Sequence, residues 1–64
     1  MNKLKGKIKE VFNTQKAFAD AMGMNETAVT QRLSGAVQWK ASEIAKACDV
    51  LDIPLTDAWL YFFI

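Results

Sequence analysis

Within residues 15–35, QKAFADAMGMNETAVTQRLSG, the residues Gln15, Ala19 and Gly23 recur at intervals of four, and this spacing constrains the fold more than any other feature. Two helices that cross steeply need a small side chain where their backbones approach and a permissive residue at the corner, often glycine. Ala19 and Gly23 occupy those places. The pattern predicts an amphipathic helix opening at Gln15, a turn at Gly23, Met24 and Asn25, and a second short helix with Val29 and Leu33 facing inward.

The flanking segments supply the rest of an all-helical domain. Leu4, Ile8, Val11 and Phe12 lie at i, i+4, i+7 and i+8, so a first helix faces the core along one stripe. Lys3 and Lys7 fall on one side of that stripe and Lys5 and Lys9 on the other, so the four cannot share one surface. Their stems cover apolar surface while the ammonium groups stay in water, and at most one pair reaches a phosphate backbone. Gly35 supplies the conformation with which helices often stop. Residues 37–40 then form a loop in which Trp39 plugs the core, and a fourth helix turns Ile44, Ala47, Cys48 and Leu51 inward. Pro54 disfavours helical geometry at Ile53 and ends that helix. Thr56 as cap and Asp57 as first turn open a short fifth helix over residues 57–64. The expectation is a compact all-α fold of five helices, with residues 1–64 forming one domain.

Composition narrows the function. The 64 residues hold no histidine and one cysteine, which removes the usual general base, the usual metal ligands and any intrachain disulfide. An enzyme is not expected, and neither is a cofactor or a metal. Cys48 reads as a small buried hydrophobe. The longest apolar run, residues 58–64, is far shorter than the ~20 residues of a membrane span, and no signal-peptide core follows the lysine-rich start. The expected location is the cytoplasm. The net charge of +1 hides a polarity, +4 over residues 1–40 and −3 over residues 41–64, and the basic half coincides with the paired helices.

Those helices carry the binding chemistry. Thr14 is a good N-cap for the second helix, whose free backbone N–H groups and positive dipole end form a phosphate site that Gln15 and Lys16 complete. Asn25 caps the third helix, with Glu26 in its first turn. At about 100° per residue, Thr27, Thr30, Gln31 and Ser34 gather opposite Val29 and Leu33. That outer face is polar and uncharged, where an ordinary solvated face carries lysine and glutamate. Short hydroxyls and an amide suit a helix that enters a major groove to read base edges and touch thymine methyl groups. Glu26 has two readings, accepting from cytosine N4 or supporting the helix start while repelling phosphate. Arg32 lies on the flank of the core stripe, away from the reading face.

The four residues Gln15, Ala19, Gly23 and Val29 fill the slots of the helix-turn-helix in lambda-repressor-like and Cro-like phage regulators, which this stretch resembles. From LKGKIKE through WKASEIAKACDVLDI the chain is similar to small Cro-type repressors from phages and prophages of Gram-positive bacteria, so the resemblance covers nearly its whole length. It implies a lambda-repressor-like fold and a sequence-specific repressor of double-stranded DNA, working in the bacterial cytoplasm and on the nucleoid when bound. It also implies that the loop after the reading helix and the start of the fourth helix lie over the sugar-phosphate backbone, which brings in Gln38 and Lys40. Related sequences carry threonine or serine where this chain has Lys40; lysine is a poor cap but sets a cation beside DNA. Base reading falls to Asn25, Glu26, Thr27, Thr30, Gln31 and Ser34, and phosphate contact to Thr14, Gln15, Lys16, Gln38 and Lys40.

The C-terminal helix is apolar around its whole circumference, and a domain this small cannot cover all of it. Trp59, Leu60, Tyr61, Phe62, Phe63 and Ile64 are therefore expected to form a protein interface. A two-fold homodimer on a near-palindromic operator is the matching assembly, because it sets two reading helices ~34 Å apart on one face of the duplex. The same features also fit a second class of protein, a modulator that keeps the fold but binds another repressor. Near-neutral charge, Glu26 and the aromatic tail point that way. An antitoxin of the same fold is a third possibility.

Overall fold

The structure, a computed structural model, describes residues 2–63. Five helices follow one another: α1 (Asn2–Phe12), α2 (Gln15–Met22), α3 (Glu26–Ser34), α4 (Ala41–Leu51) and α5 (Ala58–Phe62), the last preceded by a 3-10 turn at Leu55–Asp57. The described residues contain no strand, as the periodicities predict.

Helix α2 organises the packing, because it lies against α1, α3 and α4. Its inward residues Phe18 and Ala19 are essentially inaccessible to solvent, and Ala19 is the small residue anticipated at the close approach. The Phe18 ring meets Phe12 at 5.8 Å in a tilted arrangement, within the range where aromatic pairs add to simple burial. Leu4, Val29, Ala47 and Leu51 close the core from α1, α3 and α4. Val11 departs from the expected stripe. It is 43% exposed, since it sits at the edge of the stripe in the last turn, while Leu4 and Ile8 hold the centre.

Helices α1 to α4 each stop at a residue in the left-handed region, Asn13, Gly23, Gly35 and Asp52. Gly23 adopts φ 71°, and its N–H reaches Asp20 O at 3.1 Å while the Met24 N–H reaches Ala19 O at 2.9 Å. This is a Schellman ending, and Met24 completes it by packing on the core. The same pair of bonds ends α4, where Asp52 at φ 56° takes the left-handed place and Ile53 N–H donates to Cys48 O at 2.9 Å. Pro54 follows immediately, so the chain cannot resume the helix.

The start of the C-terminal segment differs from expectation. Thr56 is no cap: it lies inside the 3-10 turn, which closes through the Asp57 N–H on Pro54 O at 2.8 Å. Pro54, with φ −58°, presets the turn and makes a side-chain cap unnecessary. The aromatic helix is also only partly a surface. Phe62 is buried and meets Trp39 edge-on, with centroids 5.3 Å apart at 83°, so Trp39 plugs the core as expected while Phe62 leaves the expected interface. Leu60 and Tyr61 are half-buried, with the Lys3 ammonium 5.4 Å from the Tyr61 ring centre. Trp59 and Phe63 remain 57% and 70% exposed. Ile64 lies outside the described residues. No described helix is long and apolar enough to cross a membrane.

Candidate nucleic-acid interface

Helices α2 and α3 and the turn between them present three groups of side chains. The first surrounds the start of α2. Thr14 is extended, at φ −127° and ψ 152°, and its hydroxyl accepts from the Ala17 N–H at 3.1 Å. One of the free N–H groups is thereby satisfied, and the others face outward beside Gln15. Lys16 pairs with Asp20 at 3.8 Å, with both side chains at least 70% exposed. A pair so open to water adds little stability and yields readily to a phosphate.

The second group is the outer face of α3. Asn25 caps the helix, its carbonyl oxygen accepting from Ala28 N–H at 2.7 Å, so its amide NH₂ is what it can offer a base. The Thr30 hydroxyl donates to Glu26 O at 3.0 Å and accepts from the Gln15 side-chain amide. Its proton is engaged inside the protein, which leaves a lone pair and the methyl group for a ligand. The Gln15–Thr30 bond ties the start of α2 to the middle of α3, fixing the two helices in register. Ser34 donates to Gln31 O at 3.0 Å. Thr27 and Gln31 are exposed, and among the described residues neither side chain forms a hydrogen bond within the protein. The Glu26 side chain, exposed at the helix start, is likewise uncommitted among the described residues.

The third group joins Thr14 and Gln15 to one of the two lysine pairs of α1, between which the sequence does not choose. A shallow cavity of about 190 Å³ is lined by Lys5, Lys9, Asn13, Thr14, Gln15 and core residues Ile8 and Leu33. It brings two lysines of α1 beside the start of α2. Among the described residues, Lys7 pairs with Glu10 at 3.9 Å and Lys3 sits on Tyr61, whereas neither Lys5 nor Lys9 forms an ion pair. The four lysines therefore separate into a pair engaged by Glu10 and Tyr61 and a pair left beside the N-terminal end of α2. Helical periodicity alone shows two pairs; choosing between them requires the rotation of α1 against α2.

A family model described as "Protein of unknown function (DUF739)" matches residues 1–64. The chain belongs to the DUF739 family. No curated protein matches it.

Behind the outer face of α3, this DUF739 chain holds an ion pair that the spacing in the sequence does not announce. Arg32 Nε donates to Glu43 Oε1 at 3.0 Å, with the two side chains only 12% and 17% exposed. A second guanidinium nitrogen of Arg32 donates to Ala28 O at 3.1 Å. The same Glu43 oxygen accepts from the Lys40 backbone N–H at 2.8 Å, half of a capping box. An ammonium has no acceptor to supply the other half, so Glu43 does the capping that Lys40 cannot. The Arg32 hydrogen bond, then the Lys40 N–H, hold the Glu43 carboxyl below its usual value against the opposing effect of burial. The signal available in the sequence was Glu43 three residues after the cap; its bond to Arg32 depends on how α3 and α4 are placed.

The remaining expected positions are accounted for in this DUF739 fold. Gln38 and Lys40 are exposed in the loop between α3 and α4, shortly after the C-terminal end of α3. Cys48 is buried, and burial pushes its thiol upward, which disfavours the reactive thiolate. Among the described residues no group of three or more histidine, cysteine or acidic side chains could hold a metal.

Proposed function

We propose that this protein is a sequence-specific, double-stranded DNA-binding transcriptional repressor of Cro type, with α2 and α3 as a helix-turn-helix in a lambda-repressor-like fold. It acts as a homodimer on a short near-palindromic operator, in the bacterial cytoplasm. The observation that carries this reading is the adjacency of two surfaces: an uncharged polar face on α3, and the start of α2 with Lys5 and Lys9 beside it. Phosphates meet Thr14, Gln15, Lys16, Lys5 and Lys9 at one end and Gln38 and Lys40 at the other, which sets register. Thr27, Gln31 and the remaining groups of Asn25, Glu26, Thr30 and Ser34 then meet base edges.

The deciding experiment is a titration against the DNA beside the protein's own gene, at two salt concentrations, with random DNA as competitor. Competitor-resistant binding with a steep negative salt slope supports the repressor. Binding that is weak and erased by salt refutes it. The exposed Trp59 and Phe63 favour a second reading in that case, a modulator that binds another repressor protein through them.

Two substitutions test the assignment of roles. Gln31→Ala is expected to cost about 1–3 kcal/mol on one base pair and relax preference there; an equal loss on all sequences removes Gln31 from the readers. Replacing Lys5 and Lys9 together with glutamine is expected to weaken binding on every sequence and to flatten the log–log salt slope by about 2. The control is Lys3 with Lys7, whose replacement leaves the slope near that of the wild type.

A further inference from the structure

Helix α3 packs chiefly on α2, and on that flank the Gln15 amide holds the Thr30 hydroxyl. On the other flank a series of side-chain bonds runs from α3 to the start of α4. Arg32 Nη1 donates to Ala28 O at 3.1 Å, Arg32 Nε donates to Glu43 Oε1 at 3.0 Å, and the same oxygen accepts from the Lys40 N–H at 2.8 Å. Its attachment points on α3, Ala28 and Arg32, directly follow Thr27 and Gln31, the exposed residues whose side chains are uncommitted within the protein. Its far end is the backbone of Lys40. Residues 35–40 between the helices form no helix or strand, so the angle of α3 against α4 is set by side-chain bonds and packing.

Stability alone does not explain this arrangement. The two charged side chains are only 12% and 17% exposed, and an apolar pair of similar volume in such a place is often as stabilising as the ions or more so. What an apolar pair lacks is direction. We propose that Arg32 and Glu43 are positioning residues for sequence discrimination, holding the roll of α3 against the Lys40 phosphate contact. The inference rests on the DNA-binding reading.

The reason lies in the unequal tolerance of the two kinds of contact. Side-chain tips on a helix lie ~5–6 Å from its axis, so a roll of ~10° displaces them by ~1 Å. A hydrogen bond to a base edge is lost over that distance, whereas a lysine on its flexible stem follows a phosphate as a point charge. A loosened α3 therefore loses selection among sequences and keeps its general grip on the duplex.

The test separates direction from stability. Arg32→Met combined with Glu43→Gln removes both charges together, keeps an apolar stem at position 32 and keeps an oxygen to accept from the Lys40 N–H. Urea unfolding is expected to give a midpoint close to that of the wild type, because neither charge is left alone. Titrations then compare the DNA beside the protein's own gene with a random duplex of equal length. The ratio of the two affinities is expected to fall at least ~10-fold, with random-DNA affinity within ~2-fold of the wild type and its salt slope unchanged, since every phosphate-binding group is still present. Arg32→Lys is the second variant. It keeps the charge and the stem but not the planar fork that serves Ala28 O and Glu43 together, and it is expected to lower the ratio ~3-fold or more. A wild-type ratio in either variant that keeps a wild-type midpoint overturns the positioning role and leaves the DNA reading intact. An equal loss on both duplexes with a flatter salt slope also overturns it, by making Arg32 a phosphate contact. A wild type that does not distinguish the two duplexes overturns the DNA reading itself, and this role with it.

Discussion

Phe18→Ala is expected to leave the domain largely unfolded at physiological temperature. Phe18 is wholly buried in α2, which packs on α1, α3 and α4, and its ring meets Phe12 in a tilted arrangement. Removing a buried phenylalanine ring costs about 3–5 kcal/mol, and a single core of this size supplies about 3–5 kcal/mol in all. The cost is therefore comparable to the whole stability. Urea unfolding followed by circular dichroism checks the result: the variant should lack a cooperative transition, and a midpoint close to that of the wild type refutes the central place given to Phe18.

Glu43→Ala carries the second large effect. It leaves the guanidinium of Arg32, already shielded from water, without its carboxylate, and removes the acceptor of the Lys40 N–H at the start of α4. Hydrogen bonds to charged groups and helix caps together place the loss at about 2–3 kcal/mol. The sign of its pH dependence follows from the lowered folded-state value of Glu43. The contribution is full above the ordinary carboxylate value, where Glu43 is ionised in both states. It is lost as pH falls from there through the lowered folded value. The gap between wild type and variant should therefore be large near pH ~7 and should shrink on approach to pH ~3. A gap that stays constant across that range shows that Glu43 acts through packing and not through its charge.

How much of this was legible in the sequence depends on the range over which each feature is decided. Thr14 and Asn25 cap helices through a residue three positions on, so composition and order suffice to find them. The inward residues of α2, α3 and α4 follow from helical period. The outer face of α3 follows from the same period read in reverse. The Arg32–Glu43 pair joins residues eleven apart on different helices, and nothing local announces it. The division of the four lysines depends on how α1 is rolled against α2. In α5 and the residue after it every side chain is apolar or aromatic, so no periodic contrast marks Phe62 as inward and Trp59 with Phe63 as outward; the packing of α5 on α1, α4 and Trp39 decides it.

On the proposed DNA-binding reading, the bond from Gln15 to the Thr30 hydroxyl has a consequence for how the target changes over generations. A hydroxyl on the reading helix that is also a structural fastener cannot drift alone. Exchange of Thr30 for an apolar residue returns the exposed amide of Gln15 to water, and exchange of Gln15 frees an acceptor site on the Thr30 hydroxyl. Positions 15 and 30 should therefore be inherited as a couple. On that same proposed reading, a change of operator through this pair is a jump between matched sets, while positions 27 and 31, whose side chains make no hydrogen bond within the protein among the described residues, can be tuned one substitution at a time.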